Sequence, residues 1–320
     1  MTKRALKYWQ GCMLLSILTV FYSCNQLDNN TSALNTDSTN DEEVAKEKER
    51  EGIKDQLVSS LIFHASFDKG PDADLGKGDL KLYAGDFDQY NDEGKPEVNP
   101  GLGDPPLPIV PNAGRYGNAL EFPKENTHPV GYMLKGNIDY TENNFDGTLS
   151  FWMRLNTVDI PGVYCDPIQL TDNDYATNAI WVDITKNDVP SDLRLGFFGD
   201  QKIWDPKNLK GRSEEFFWRL MKISEPPFSR DKWTHVVLTW EKINTGEIGR
   251  SKMYVNGEYR GQSGPIKEPF NWNMTKASLR LGIGDYVGFF DDIAIFDRSL
   301  TGEEILNLYQ LESGVSELHE

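Results

Sequence analysis

Apolar and polar side chains alternate with a period of two along several separate stretches of the chain. Leu149, Phe151, Met153 and Leu155 line one face of a strand whose other face carries Trp152 and Arg154. Ile180, Val182 and Ile184 alternate in the same way with Trp181 and Asp183, and Leu193, Leu195 and Phe197 form a further strand. Val236, Leu238 and Trp240 share a face in the strongest central strand, residues 233–240, where His235 reads as a hydrogen-bonded strand histidine. Asn256-Gly257 then supplies the positive φ angles of a type I′ hairpin. Leu279, Leu281 and Ile283 alternate with Ser278, Arg280 and Gly282. Ile293 and Ile295 oppose Ala294 and Phe296, so that strand is apolar on both faces and should be covered on both. The period changes at Thr301-Gly-Glu-Glu304, a capping box, after which Ile305, Leu308 and Tyr309 follow at helical spacing. Shorter strands are expected at 61–67, 119–122 and 132–134. The pattern predicts an all-β antiparallel sandwich closed by a short C-terminal helix.

Outside the strands the pattern divides the chain. Residues 1–23 have a basic start at Lys3, Arg4 and Lys7 and an apolar run too short to span a membrane, ending at Ser23-Cys24. This resembles a bacterial lipoprotein leader, which implies acylation of Cys24 and attachment to the outer membrane of the cell envelope. Residues 24–56 read as a disordered tether. Within it, the charge-alternating run 46–55 (KEKEREGIKD) reads as a solvated, fraying helix. The globular domain is expected over 57–315. Residues 84–115 are rich in Gly, Pro, Asp and Asn and read as one long loop, a candidate ligand surface.

Four segments, in order, carry a resemblance. They are 116–122 (YGNALEF), 148–155 (TLSFWMRL), 233–240 (WTHVVLTW) with 252–258 (KMYVNGE), and 290–309 (FDDIAIFDRSLTGEEILNLY). Together they resemble laminin-G-like, concanavalin A-like jelly-roll domains across residues 60 to 312. The resemblance implies the sandwich fold. It also implies calcium, for which Asp72, Asp74 and Asp79 in the Gly-rich loop 68–79, with Asp291, would supply oxygen ligands. The same loop is compatible with ordinary turn chemistry, since no glutamate closes it at the EF-hand position. Related jelly-roll glycan hydrolases carry two glutamates on one strand face, in E-x-D-x-E or E-x-D-x-x-E. Neither pattern occurs here; Glu214-Glu215 and Glu303-Glu304 are adjacent and would point apart in a strand.

Composition narrows the partners. The 320 residues carry a net charge of -17, and the first 23 hold three bases and no acid, so the exported part is more acidic still. Such a charge disfavours nucleic acid and an anionic lipid surface as partners. Of three cysteines, Cys12 lies in the leader and Cys24, just after it, is the expected acylation site. Cys165 is left alone and reads as a small buried hydrophobe. No zinc, P-loop or serine-nucleophile motif is present.

The one stretch that joins several aromatics to charged residues is 200–230, with Trp204, Phe216, Phe217, Trp218 and Phe228 among Lys and Arg. Two readings stay open: the rings pack back on the domain, or they form a platform for sugar rings. On the second reading Trp204 and Trp218 would stack, and Arg212 and Arg219 would donate to hydroxyls or to an acidic sugar. The expected function is a non-catalytic carbohydrate-binding module held at the cell envelope by a lipid. The alternative is a protein-interaction domain of an envelope complex, with a diverged glycoside hydrolase more remote.

Overall fold

The computed structural model describes residues 35–124, 128–186 and 191–320. The leader with Cys24 lies outside these. A helix, α1 (Asn35–Ser60), leads into β1 (Leu61–Ala65), β2 (Leu82–Tyr90), β3 (Pro96–Pro100), β4 (Ile109–Val110), β5 (Ala119–Phe122) and β6 (Val130–Met133). Then follow β7 (Phe145–Arg154), β8 (Tyr164–Thr171), β9 (Ala179–Thr185) and β10 (Asp192–Phe198). The segment after β10 holds α2 (Gln201–Trp204), α3 (Glu214–Trp218) and β11 (Leu220–Ser224). The chain continues through β12 (Thr234–Ile243), β13 (Arg250–Val255), β14 (Glu258–Gln262), β15 (Ser278–Ile283), β16 (Gly288–Phe296) and α4 (Gly302–Tyr309).

The described strands make two antiparallel sheets. One runs β14-β13-β12-β7-β16-β5-β4, with β1 also paired to β16; the other runs β11-β10-β9-β8-β15-β6-β2-β3. Between them lies one apolar core, in which Phe151, Val236, Leu238 and Ile293 of the first sheet meet Ile168, Leu170, Val182 and Leu195 of the second. The two-sided reading of the last strand holds. Ile293 and Ile295 face that core, while Ala294 and Phe296 face a second cluster with Leu300, Ile305, Leu308, Val315 and Leu318. The capping box holds α4 there, with Thr301 Oγ1 accepting from Glu304 N and Glu304 Oε2 accepting from Thr301 N at 2.8 Å.

Three expectations are corrected. The stretch read as a disordered tether is helical from Asn35, and Ile53 and Leu57 are 9% and 1% exposed within the second cluster. They lie four residues apart, one stripe on a helix whose other positions are mostly charged or polar, which is why composition hid them. The domain also runs past residue 315, since Leu318 is buried and His319 is hydrogen-bonded. Finally, 84–115 is not one loop. It contains most of β2, all of β3, and β4. Gly85, Asp86 and Asp88 broke the alternation of Leu82, Ala84 and Phe87, and the prolines of β3 sit on a sheet edge, where a missing N–H costs nothing.

A β-bulge in β16 sets the position of Asp291. The β16–β7 register slips between Asp291 and Ala294, and Asp292 has φ 52°. Strict alternation would turn Asp291 inward with Ile293 and Ile295. The slip places it opposite Trp152, on the outer face of the first sheet. Asp291 Oδ2 accepts from Tyr116 N at 2.9 Å, while Oδ1 is buried without a partner among the described residues. Burial, and then the neighbouring Asp292 charge, push its carboxyl up to about 8. Asp292 Oδ1 pairs with His64 Nε2 at 2.8 Å and both its oxygens accept from Val315 N. The other ring nitrogen, His64 Nδ1, lies 2.8 Å from His319 Nε2, within hydrogen-bond distance, and the ring tautomers set which of the two donates.

Two outcomes are expected. Leu57→Ala should lower unfolding free energy by about 2–4 kcal/mol in urea titrations, the usual cost of emptying a buried leucine site. An unchanged midpoint would mean that α1 does not dock. For Asp291, the folded pKa lies above the unfolded value of 3.8, so the folded state keeps a proton that the unfolded chain releases. This contribution is full below about pH 4 and is lost as pH rises towards about pH 8. Asp291→Asn should therefore gain on the parent between about pH 5 and 8, by up to about 1.4 kcal/mol for each pH unit. Parallel stability–pH curves for the two proteins would refute the assignment.

Candidate functional site

The aromatic insert splits into a buried part and an exposed part. On the outer face of the second sheet, Trp181 lies over Gly196, its register partner on β10; a Cβ there would come within 2.2 Å of the indole. Phe198, Trp204 and Phe216 pack on the same indole cluster. Trp204 is 6% exposed and its Nε1 donates to Ala176 O at 3.1 Å. It is core and offers no stacking face. Arg219 is 5% exposed. Its Nη1 donates to Glu215 O, its Nη2 pairs with Glu268, and its guanidinium lies 4.8 Å from the centroid of the Trp204 ring. It clamps the insert and is not free for a ligand. Trp218 and Phe217 stand outward at 52% and 56% exposure. The side chain of Arg212 lies outside the described residues.

The proposed calcium ligands do not converge. Asp72 Oδ1 accepts from Leu82 N at 3.1 Å and Asp74 Oδ2 from Ser66 N at 2.7 Å. Asp79 accepts from Lys81 N and from the Tyr83 hydroxyl. Asp291 sits in the bulge of the other sheet. Among the described residues no three His, Cys, Asp or Glu side chains are grouped so that they could hold a metal ion. The Gly-rich loop uses its carboxylates to tie its own turns, the alternative left open by its sequence.

A carboxylate pair that no single-strand motif could reveal forms across two strands. Asp166 lies in a register slip of β8, beside Asp183 of β9. Burial and then Asp183 push Asp166 up to about 8. Asp183 is also raised by burial, but it is held by a two-pronged pair with Arg194 of β10, Nε to Oδ1 at 2.7 Å and Nη2 to Oδ2. Cys165 beside it is buried and free, and burial lifts its thiol well above the ordinary range.

The open groove with a mixed lining lies at the β6–β2–β3 end of the second sheet and has a volume of about 840 Å3. Tyr83 of β2, Met133 of β6, Val98 of β3 and Met274, from the loop before β15, form its apolar floor. The Tyr83 hydroxyl donates to Asp79 Oδ2 at 2.6 Å, and that bond, with burial second, pushes the phenol up to about 12. The ring is thus fixed and neutral at any physiological pH. Asn137, fully buried, stands behind the lining and ties it together. Its Oδ1 accepts from Gly78 N at 2.8 Å, and its Nδ2 donates to Asp79 O and Met133 O at 2.7 and 3.0 Å. The two Lys-Gly turns, at 77–78 and 135–136, are pressed together; a Cβ on Gly78 would lie 2.2 Å from Lys135 O. Sequence reasoning names Asp79 only as a calcium ligand and the 84–115 stretch, which supplies Asn91, Lys95 and Val98, only as a candidate ligand surface; Tyr83, Met133 and Met274 were missed. A further signal for them lay in the paired Lys-Gly turns, each followed by a polar residue, Asp79 or Asn137.

Comparison with known proteins places the fold. The binding domain of botulinum neurotoxin DC, solved with rat synaptotagmin II, is 17% identical, with 82% of this chain and 52% of that chain covered and a TM-score of 0.51. The same toxin's binding domain solved with SialylT is 16% identical, with 82% and 52% covered and a TM-score of 0.50. Domain 4 of an extracellular arabinanase from Geobacillus stearothermophilus, solved with arabinotriose, is 15% identical, with 78% and 98% covered and a TM-score of 0.47. This chain spans about half the length of the neurotoxin binding domains. At these identities the likeness is one of fold. No curated protein matches the sequence. The family model described as the concanavalin A-like lectin/glucanases superfamily matches residues 131–306, more than half the chain and the stretch from β6 into α4. The paired sheets, the two-sided last strand and its capped helix agree with that match, and the chain belongs to the concanavalin A-like lectin/glucanases superfamily.

Proposed function

We propose that this protein is an exported, lipid-anchored, non-catalytic module that binds a glycan in the groove beside Tyr83. One observation carries the reading. The groove joins an apolar floor, Tyr83, Met133 and Val98, to a polar rim that includes Asn91 and Thr275. Sugar rings present an apolar face and a belt of hydroxyls, and such a lining meets both. The fold alone leaves glycan and protein ligands equally open; the mixed groove favours the glycan.

The non-catalytic part of the reading rests on the acid pair. Asp183 is engaged by Arg194, so it is not a free partner for Asp166. Glycoside hydrolysis needs two available carboxyl groups flanking the bond. Anchoring rests on the leader and Cys24, and would hold the module at the bacterial outer membrane. The net charge of -17 argues against nucleic acid. A second reading, docking of an envelope protein, is favoured by the outward Phe217 and Trp218, and would be marked by loss of a co-purifying protein in Trp218→Ala.

Tyr83→Ala should weaken glycan binding by about 1–2 kcal/mol, roughly five- to thirtyfold, in calorimetry or affinity gels, with the fold intact. Tyr83→Phe, which keeps the ring, should retain most of the affinity. Absence of binding to any polysaccharide class, or release of reducing sugar from one, would overturn the proposal. Cys24→Ala should move the protein from the detergent-soluble membrane fraction to the aqueous one; a variant that stays with the membrane would refute the anchor.

A further inference from the structure

Three lysines edge the Tyr83 groove, and they come from three separate turns. Lys77 and Lys135 project from the two Lys-Gly turns that touch, and Lys95 from the connection between β2 and β3. All three are exposed. Lys95 has an exposed pairing with Glu93 at 2.9 Å, a contact of small worth in water. Lys77 and Lys135 have no ion-pair partner within 4.0 Å among the described residues. The acid in the lining is Asp79, and its two oxygens are already engaged by Lys81 N and the Tyr83 hydroxyl. Those donors are neutral and leave the carboxylate its charge; counting Asp79 and Glu93 against Lys77, Lys95 and Lys135 (3 - 2), the rim keeps a net charge of +1, in a chain whose net charge is -17.

A neutral sugar gains little from such a rim. We propose that the ligand of this groove is an anionic glycan, and that Lys77, Lys95 and Lys135 read acid groups on successive sugars packed on Tyr83 and Met133. The inference rests on the glycan reading and deepens it by naming the ligand class. Distance decides between the local and global charge. The Debye length is about 8 Å at about 0.15 M salt, so acids elsewhere on the surface are largely screened from a ligand in the groove. The lysines at contact distance are not. The expectation that an acidic sugar would meet the arginines of the 200–230 insert is thereby moved to another part of the second sheet, because Arg219 is buried against Glu268.

The test uses the full chain in affinity electrophoresis at about 0.15 M salt, against polygalacturonate, a sulfated galactan and a neutral galactan. Retardation by polygalacturonate alone assigns carboxylate as the acid group, and retardation by the sulfated polymer alone assigns sulfate; either supports the inference. The double variant Lys77→Gln/Lys135→Gln should lose affinity by about tenfold or more, with an unchanged melting curve, and Tyr83→Ala should lose it too. The control Lys202→Gln/Lys207→Gln, which removes two lysines of the insert, should bind like the parent. Equal losses in control and test variants would reduce the effect to general polyanion attraction and overturn the inference. If the neutral galactan binds as well as the acidic polymers, in a Tyr83-dependent way, the inference falls and the glycan reading stands. If no polymer is retarded, both fall.

Discussion

The structure turns on the bulge in β16. Where the ladder with β7 slips, two adjacent carboxylates appear in a strand that is otherwise apolar, and each gathers chain from far away. Asp291 takes the amide of Tyr116, and Asp292 takes His64 and the amide of Val315. The same break divides the edge of β16, so that β5 pairs with its first half and β1 with its second. Buried carboxylates are costly unless hydrogen-bonded, so the bulge is tolerated largely because three distant segments, at His64, Tyr116 and Val315, meet there. Gly314, at φ 73°, permits the closest of these approaches, since a Cβ at that position would stand 2.9 Å from Asp292 Oδ2.

This arrangement gives the two sheets different outer faces. The first sheet is roofed by α4, the following turn and the end of α1, which together make the second apolar cluster. On the second sheet the 200–219 insert covers β9 and β10 with Trp204 and Phe216, and Arg219 staples it to Glu268. What stays open is the far end of that sheet, over β6, β2 and β3, where the connections carry lysines and glycines. The groove is thus the part of the sandwich that neither cover reaches. Its walls are held by Asn137 and by the bond from Tyr83 of β2 to Asp79, with the two Lys-Gly turns in close backbone contact beside them.

The sequence by itself determined the architecture. Period-two alternation marked the central strands, β7, β9, β10, β12, β15 and β16, because each must bury one face or both, and an apolar run is costly anywhere else. The Asn256-Gly257 turn and the Thr301–Glu304 box were legible because their chemistry is local: positive φ at two residues, and hydrogen bonds across one helical turn. Edge strands such as β2 and β3 were not legible, since half their positions face solvent and Gly, Asp and Pro are tolerated there. Ile53 and Leu57 were hidden for a related reason: two apolar residues in a charged helix acquire meaning only from the surface they dock on.

The site was decided by tertiary structure alone. Trp204 and Trp218 are equivalent in sequence, each an indole among charges. One is core and one is exposed because Gly196 leaves room for Trp181, on whose cluster Trp204 packs and Trp218 does not. Asp72, Asp74 and Asp79 look like a cation loop until the backbone amides that claim them are placed. Asp166 and Asp183, seventeen positions apart, become neighbours only through strand pairing. Lys77, Lys95 and Lys135 are unremarkable in a chain with 33 basic residues. They become one feature when three turns close on Tyr83, because charge acts through distance in space, and distance along the chain does not report it.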